Sequence, residues 1–132
     1  DVGAVALVQN NQGRLLARNG EHAAAAALFL RAADGFRKAN DGDGLASALS
    51  NAATSLRAQG GDALGTATLF QRSAFAATAV KRYRHAATSF SAAARLFDQA
   101  AKPEQARSCR ESGRRVLDAF ERDQAVATEA NK

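Results

Sequence analysis

The sequence predicts an all-α domain of about six antiparallel helices stacked as a solenoid, and three observations carry that prediction. Alanine supplies 34 of 132 residues and proline only one, Pro103, so helix propensity is high along nearly the whole chain. Helix-ending punctuation recurs at intervals of about 20 residues. Blocks of sequence also return at fixed spacings, which is the mark of a repeat architecture. Residues that favour strands are too sparse and scattered to form alternating runs.

Each break has a mechanism. Asn19-Gly20 closes the first segment, Asn40 to Gly44 the second, and Gly60-Gly61-Asp62 the third. Lys81 to Arg84 interrupts the fourth weakly, and Lys102-Pro103 ends the fifth. Gly20 and Gly60 suit the left-handed conformation that closes a helix. Asp43 and Asp62 are expected to cap the next N-terminus. Pro103 suits a first helical turn, with Glu104 complementing the helix dipole.

Between the breaks the apolar spacing is helical. The first segment shows Val5, Val8, Leu15 and Leu16, the weakest of the six. The second reads Ala25, Phe29, Ala32, Phe36, Ala39, and the third Leu45, Ala48, Leu49, Ala52, Leu56. The fourth reads Ala63, Ala67, Phe70, Ala74, Ala77, and the fifth Ala86, Phe90, Ala93, Phe97, Ala100. The sixth reads Ala106, Cys109, Gly113, Val116, Phe120. Helices of 17–20 residues are expected, each about 25–30 Å long, with short connections that make neighbours antiparallel. Residues 1–126 form the expected domain and 127–132 a polar, fraying tail.

Two repeat spacings are visible. Asn11, Gly13, Leu16 and Gly20 align with Asn51, Ala53, Leu56 and Gly60 at a spacing of 40, two helices per unit. Phe29, Ala32, Ala33, Phe36 and Ala39 return as Phe90, Ala93, Ala94, Phe97 and Ala100 at a spacing of 61. The second spacing means either three helices or a register shift that puts the last pair out of step, and residues 62–82 fit neither spacing well. In the recurring Ala-x3-Phe-x2-Ala pattern the alanines let two helices approach and the phenylalanine fills the core.

These residues resemble tetratricopeptide repeats. Gly13, Leu16, Gly20, Ala25, Phe29 and Ala32 stand at that family's small, large, turn, small, aromatic and small positions. Gln9 stands where the family has Trp, Leu16 where it has Tyr, and Arg37 near its closing Pro. The fifth and sixth segments resemble the SNAP-like branch with longer helices, and the 40-residue unit resembles the kinesin-light-chain type. The resemblance spans residues 4–120 and implies a right-handed solenoid whose first helices line a concave groove. In the 40-residue branch an asparagine at the place of Asn11 and Asn51 holds the backbone of a bound peptide. An amide both donates and accepts, which suits an extended chain. Asn10, Arg14, Ser47, Ser50 and Thr54 are expected on the same surface. A solvated or cap-like role for the asparagines stands beside this reading.

The net charge of +5 is uneven. Residues 72–115 carry ten basic side chains against three acidic ones, whereas residues 1–60 are nearly balanced. Arg107, Arg110 and Arg114, with Arg115 beside them, form a basic face on the sixth helix. Guanidiniums there suit carboxylates or phosphates; a salt-bridged surface, with Glu111–Arg115 and Arg114–Asp118 pairs, is the alternative. The Lys81 to His85 cluster is either an anion site or a polar connection.

No metal or cofactor is expected. His22 and His85 are expected to be exposed, with no ligands at metal-binding spacing. Cys109 falls on an apolar face and is expected to be a buried, inert thiol. No nucleophile and base assemble from this sequence, so no enzyme is expected. No apolar run reaches the length of a membrane span, and one cysteine excludes an internal disulfide and fits a cytoplasmic, reducing location. The expected function is therefore a protein-interaction or scaffold module, a segment of a larger protein, that takes a partner peptide or helix, acidic by charge. A self-associating homodimer built on partly apolar end faces is the main alternative. Nucleic-acid binding ranks lower, because only Tyr83 stands ready to stack near the basic cluster.

Overall fold

The computed structural model describes all 132 residues. They form six helices and no strand: α1 (Val2–Arg18), α2 (His22–Lys38), α3 (Gly42–Ala58), α4 (Ala63–Ala79), α5 (Tyr83–Gln99) and α6 (Pro103–Ala130). Consecutive helices pack as antiparallel hairpins, and beyond these neighbours only α1 and α3 share a substantial contact.

The regularity comes from one turn used five times. The backbone N–H of residues 21, 41, 61, 82 and 102 donates to the carbonyl five residues earlier, at 2.8–2.9 Å. The residue before each donor is left-handed: Gly20, Asn40, Gly60, Lys81 and Ala101. These are Schellman turns, which satisfy the free carbonyls at a helix end. Glycine accepts this conformation without strain, and a residue with a Cβ pays for it. Composition therefore revealed the turns at Gly20 and Gly60, but not the left-handed residues at Lys81 and Ala101.

Helix starts at residues 2, 22, 42, 63, 83 and 103 lie 20 or 21 residues apart, so residues 62–82 keep the register and the last pair is in step. The 61-residue spacing is the distance from α2 to α5, three helices on. Asp1, Asp41 and Asp62 cap α1, α3 and α4 by accepting from Ala4, Gly44 and Gly65. Asp43, expected as the cap of α3, sits instead in its first turn. Pro103 opens α6 with Glu104 in the first turn, as expected.

The core follows the Ala/Phe pattern. Phe29, Phe36, Phe70, Phe90 and Phe97 are all buried among alanines with no accessible surface or nearly none. Each such Phe contributes about 1.5–3 kcal/mol. Close approach needs glycine at two points. A Cβ on Gly13 would lie 2.7 Å from Cε1 of Phe29, and one on Gly44 would strike the ring of Phe36.

Two helices depart from expectation. In α1 the buried residues are Ala6, Asn10 and Gly13, whereas Val5, Val8 and Leu15 are exposed. These three point away from the core, whereas Leu16 packs partly buried against the Ala25, Phe29 and Ala52 cluster. Helix α6 has 28 residues where each of the others has 17. It carries no turn residue at 121, the counterpart of Lys81, and continues to Ala130 with residues 121–132 exposed.

Candidate functional site

The odd-numbered helices meet at a polar pocket. Asn10 and Arg14 of α1, Ser47, Ser50 and Asn51 of α3, and His85 of α5 line a cavity of about 260 Å³. No apolar side chain and no carboxylate is among them.

Asn10 shares the buried side of α1 with Ala6 and Gly13, and so reaches α3. Asn51 donates from Nδ2 to Oδ1 of Asn10 at 3.3 Å. Asn10 is 8% exposed, yet its own amide nitrogen has no partner within the protein. The pair thus offers an unspent donor on Asn10 and an unspent acceptor on Asn51. Ser47 is held by Arg82, whose Nη1 donates to Ser47 Oγ at 3.2 Å and to the Asp43 carbonyl at 3.4 Å. Arg82 also pairs with the Asp43 carboxylate, pinning the start of α5 onto α3. Arg14 has no ion pair and is the one charged residue of the lining.

His85, expected to be exposed, is half-buried and part of this site. Ser73 spends its hydroxyl proton on the Ala46 carbonyl at 2.7 Å. His85 Nε2, 3.1 Å from Ser73 Oγ, must therefore carry a hydrogen and donate it. Nδ1 remains as the acceptor of a neutral ring. Burial holds the His85 pKa below 6.5, helped by the nearby Arg82 and opposed by the Ala46 carbonyl. The Ser–His contact is structural. Ser73 is fully buried, and the histidine gives it a proton where a general base would take one.

Of the residues expected in the groove, Asn10, Arg14, Ser47, Ser50 and Asn51 converge. Asn11 and Thr54 are exposed and lie outside the pocket lining. The residue paired with Asn51 is Asn10, one position from its register counterpart Asn11. His85 was missed, because it comes from a third helix more than 30 residues further along the sequence.

The basic residues Arg107, Arg110, Arg114 and Arg115 lie together on exposed α6. Arg110 bonds Asp98 of α5, and the pairs expected within α6 do not form. Helix α6 repeats α4 at a spacing of 40, so Arg107, Arg110 and Arg114 correspond to Ala67, Phe70 and Ala74. Those three are buried in the cluster that α4 shares with α5. Arginines thus occupy on α6 the surface that α4 gives to α5, and the outer face of α6 is polar. Arg84 lies 5.3 Å over the ring of Phe120 near the same end.

His22 is half-buried, with Nδ1 enclosed and unpartnered. Cys109 is buried, and desolvation pushes its thiol pKa up against the pull of Arg110, so it stays a protonated, unreactive thiol. No cluster of three or more His, Cys, Asp or Glu side chains is placed to hold a metal ion. No helix is long and apolar enough to cross a membrane.

No protein-family model matches the chain, and no curated protein matches it in sequence. Among solved structures, the crystal structure of the TPR domain of Arabidopsis FLU is similar, with a TM-score of 0.67 at 16% identity. The match covers 90% of this chain and 99% of that one. The helix pairs, their common turn and this structural likeness agree: the chain has the fold of a tetratricopeptide-repeat domain.

Proposed function

We propose that this domain is a protein-interaction module that holds a segment of a partner along the groove formed by α1, α3 and α5. One observation carries the reading: a part-buried Asn10–Asn51 pair opens onto a polar pocket with unspent hydrogen-bonding groups. A donor on one amide and an acceptor on the other match the alternating N–H and C=O groups of an extended chain. Arg14, Ser47 and Ser50 add donors, and no carboxylate opposes them, which favours a partner segment carrying an acidic side chain.

Peptides selected against the whole domain from a random displayed library provide the test. Asn10→Ala combined with Asn51→Ala is expected to weaken the selected peptides at least about tenfold, the loss of one or two hydrogen bonds. Arg14→Ala is expected to weaken the acidic ones further. Affinities unchanged by all three substitutions would refute the groove reading.

A further inference from the structure

Proton chemistry in the polar pocket rests with one side chain. Arg14 stays charged throughout, and Asn10, Asn51, Ser47 and Ser50 do not titrate. His85 is the exception, and its ring is fixed. Nε2 lies 3.1 Å from Ser73 Oγ, whose own proton goes to the Ala46 carbonyl at 2.7 Å. That chain of bonds spends the Nε2 hydrogen on α4 and leaves Nδ1 as a lone pair. Nδ1 has no partner within the protein and is not sealed from solvent.

The two states of the ring suit opposite ligands. A neutral ring offers the pocket an acceptor, which repels a carboxylate oxygen and suits an amide N–H. A protonated ring offers a charged N–H, which suits a carboxylate. The change needs no rearrangement, because Nε2 donates to Ser73 in both states. The surroundings decide which state the empty pocket holds. Burial disfavours the proton first, and Arg82 at the start of α5 adds to it. Arg14 of α1 brings a second positive charge to the lining. Asp43 of α3 is already engaged by Arg82. From α4 the ring meets the uncharged Ser73 hydroxyl, and α2 and α6 send no side chain into the lining. The pocket therefore holds positive charge with no carboxylate of its own, and a carboxylate entering it would supply what His85 lacks.

We propose, resting on the groove reading above, that His85 makes this pocket a proton-coupled receptor for a carboxylate. An aspartate or glutamate side chain of the partner segment binds together with one proton, which Nδ1 takes from solvent and donates to the carboxylate as a hydrogen bond. The carboxylate favours the charged ring and so raises its pKa. Affinity therefore rises as pH falls through 6.5, and levels off once the ring of the free protein is protonated too.

Acidic peptides selected on the whole domain, from a displayed library panned at pH 6, are the probe. Each is compared with a copy carrying Asn or Gln in place of its acidic residue. From pH 7.5 to 5.5 the affinity for the acidic peptides is expected to rise about tenfold. Calorimetry in two buffers of different ionisation enthalpy is expected to show proton uptake on binding near pH 6.5. The amide copies should lose or reverse the pH dependence, and His85→Gln should abolish both it and the proton uptake. On the unaltered chain, ring ¹⁵N NMR should show the peptide raising the His85 pKa. Peptides that depend on Asn10 and Asn51 yet bind equally at both pH values would overturn the proton coupling and leave the groove reading standing. A pH dependence that survives His85→Gln, or a ring whose titration the peptide does not move, would do the same. Peptides indifferent to Asn10 and Asn51, or a library that yields none, would overturn both.

Discussion

Asn51 donates its side-chain amide to the Asn10 carbonyl oxygen at 3.3 Å, tying α1 to α3 without passing through α2. Apart from it and the Arg82 contacts that link α5 to α3, the strong packing contacts of the stack join consecutive helices. This one bond therefore bears on the angle between two successive pairs, and it does so at the floor of the polar pocket.

Its energy is expected to be that of a partly buried neutral hydrogen bond. Asn10→Ala and Asn51→Ala should each lower stability by about 0.5–1.5 kcal/mol. The double variant should lose less than the sum, by about 0.5–1 kcal/mol of coupling. Urea denaturation of the four proteins measures it; strict additivity would mean that the contact carries no energy.

Glycines in this chain should respond in opposite directions to alanine. Gly13→Ala places a Cβ 2.7 Å from the Phe29 ring and should destabilise by about 1–3 kcal/mol. At Gly113 the nearest atom is Phe90 Cβ, 3.5 Å away, an ordinary contact. Gly113→Ala should therefore gain helix propensity, about 0.5–1 kcal/mol. Thermal melts of the two variants, shifting in opposite senses, are the expected result.

Lys81 and Ala101 occupy left-handed turn positions with φ of 63° and 58°. Lys81→Gly and Ala101→Gly should each stabilise, by about 0.5–1 kcal/mol, by relieving the clash of Cβ with the backbone. Chemical denaturation at fixed pH is the check, and a loss of stability at either site would contradict the strain assigned there.

His85 predicts a pH dependence with a definite sign. Its folded pKa lies below the ordinary 6.5, chiefly through burial. Above 6.5 both states are neutral and nothing changes. As pH falls through 6.5 the unfolded chain takes up the proton first, so stability falls until the folded pKa is passed. Urea midpoints between pH 7.5 and about 5 should drop more for the wild type than for His85→Gln. Equal drops would place the ring in ordinary solvent.

The end of α6 is expected to be dispensable. Residues 127–132 are all exposed, so a chain stopped at Val126 should match the full one within about 0.5 kcal/mol.

Much of this was legible in the sequence because one chemical pattern encodes it. Apolar residues at helical spacing, chiefly alanine with phenylalanine or leucine, gave the buried faces of α2 to α6, and glycine gave two of the five turns. Helix α1 was misread for a physical reason. Periodicity reports which residues share a face, not which face has a neighbour, and the largest side chains of α1 look outward. The site was half legible. Repeat alignment brought Asn51 together with Ser47 and Ser50, yet pointed to Asn11, because a buried amide one position away leaves no hydrophobic signal. His85 required the third odd-numbered helix, and no pattern within α5 marks it.

The same turn, used five times between helices that touch mainly their neighbours, sets how this chain finds its structure. Nearly all of its contacts close loops shorter than two helices, so little entropy is lost before each is rewarded. Folding is expected to start at any hairpin and spread by addition, on the microsecond-to-millisecond scale of local topologies. Unfolding should run inward from both ends, since α1 and α6 each pack against the stack on one side only. Amide exchange would then show a gradient of protection, highest around Phe70 and Phe90 in the middle of the stack and lowest at α1 and at the end of α6.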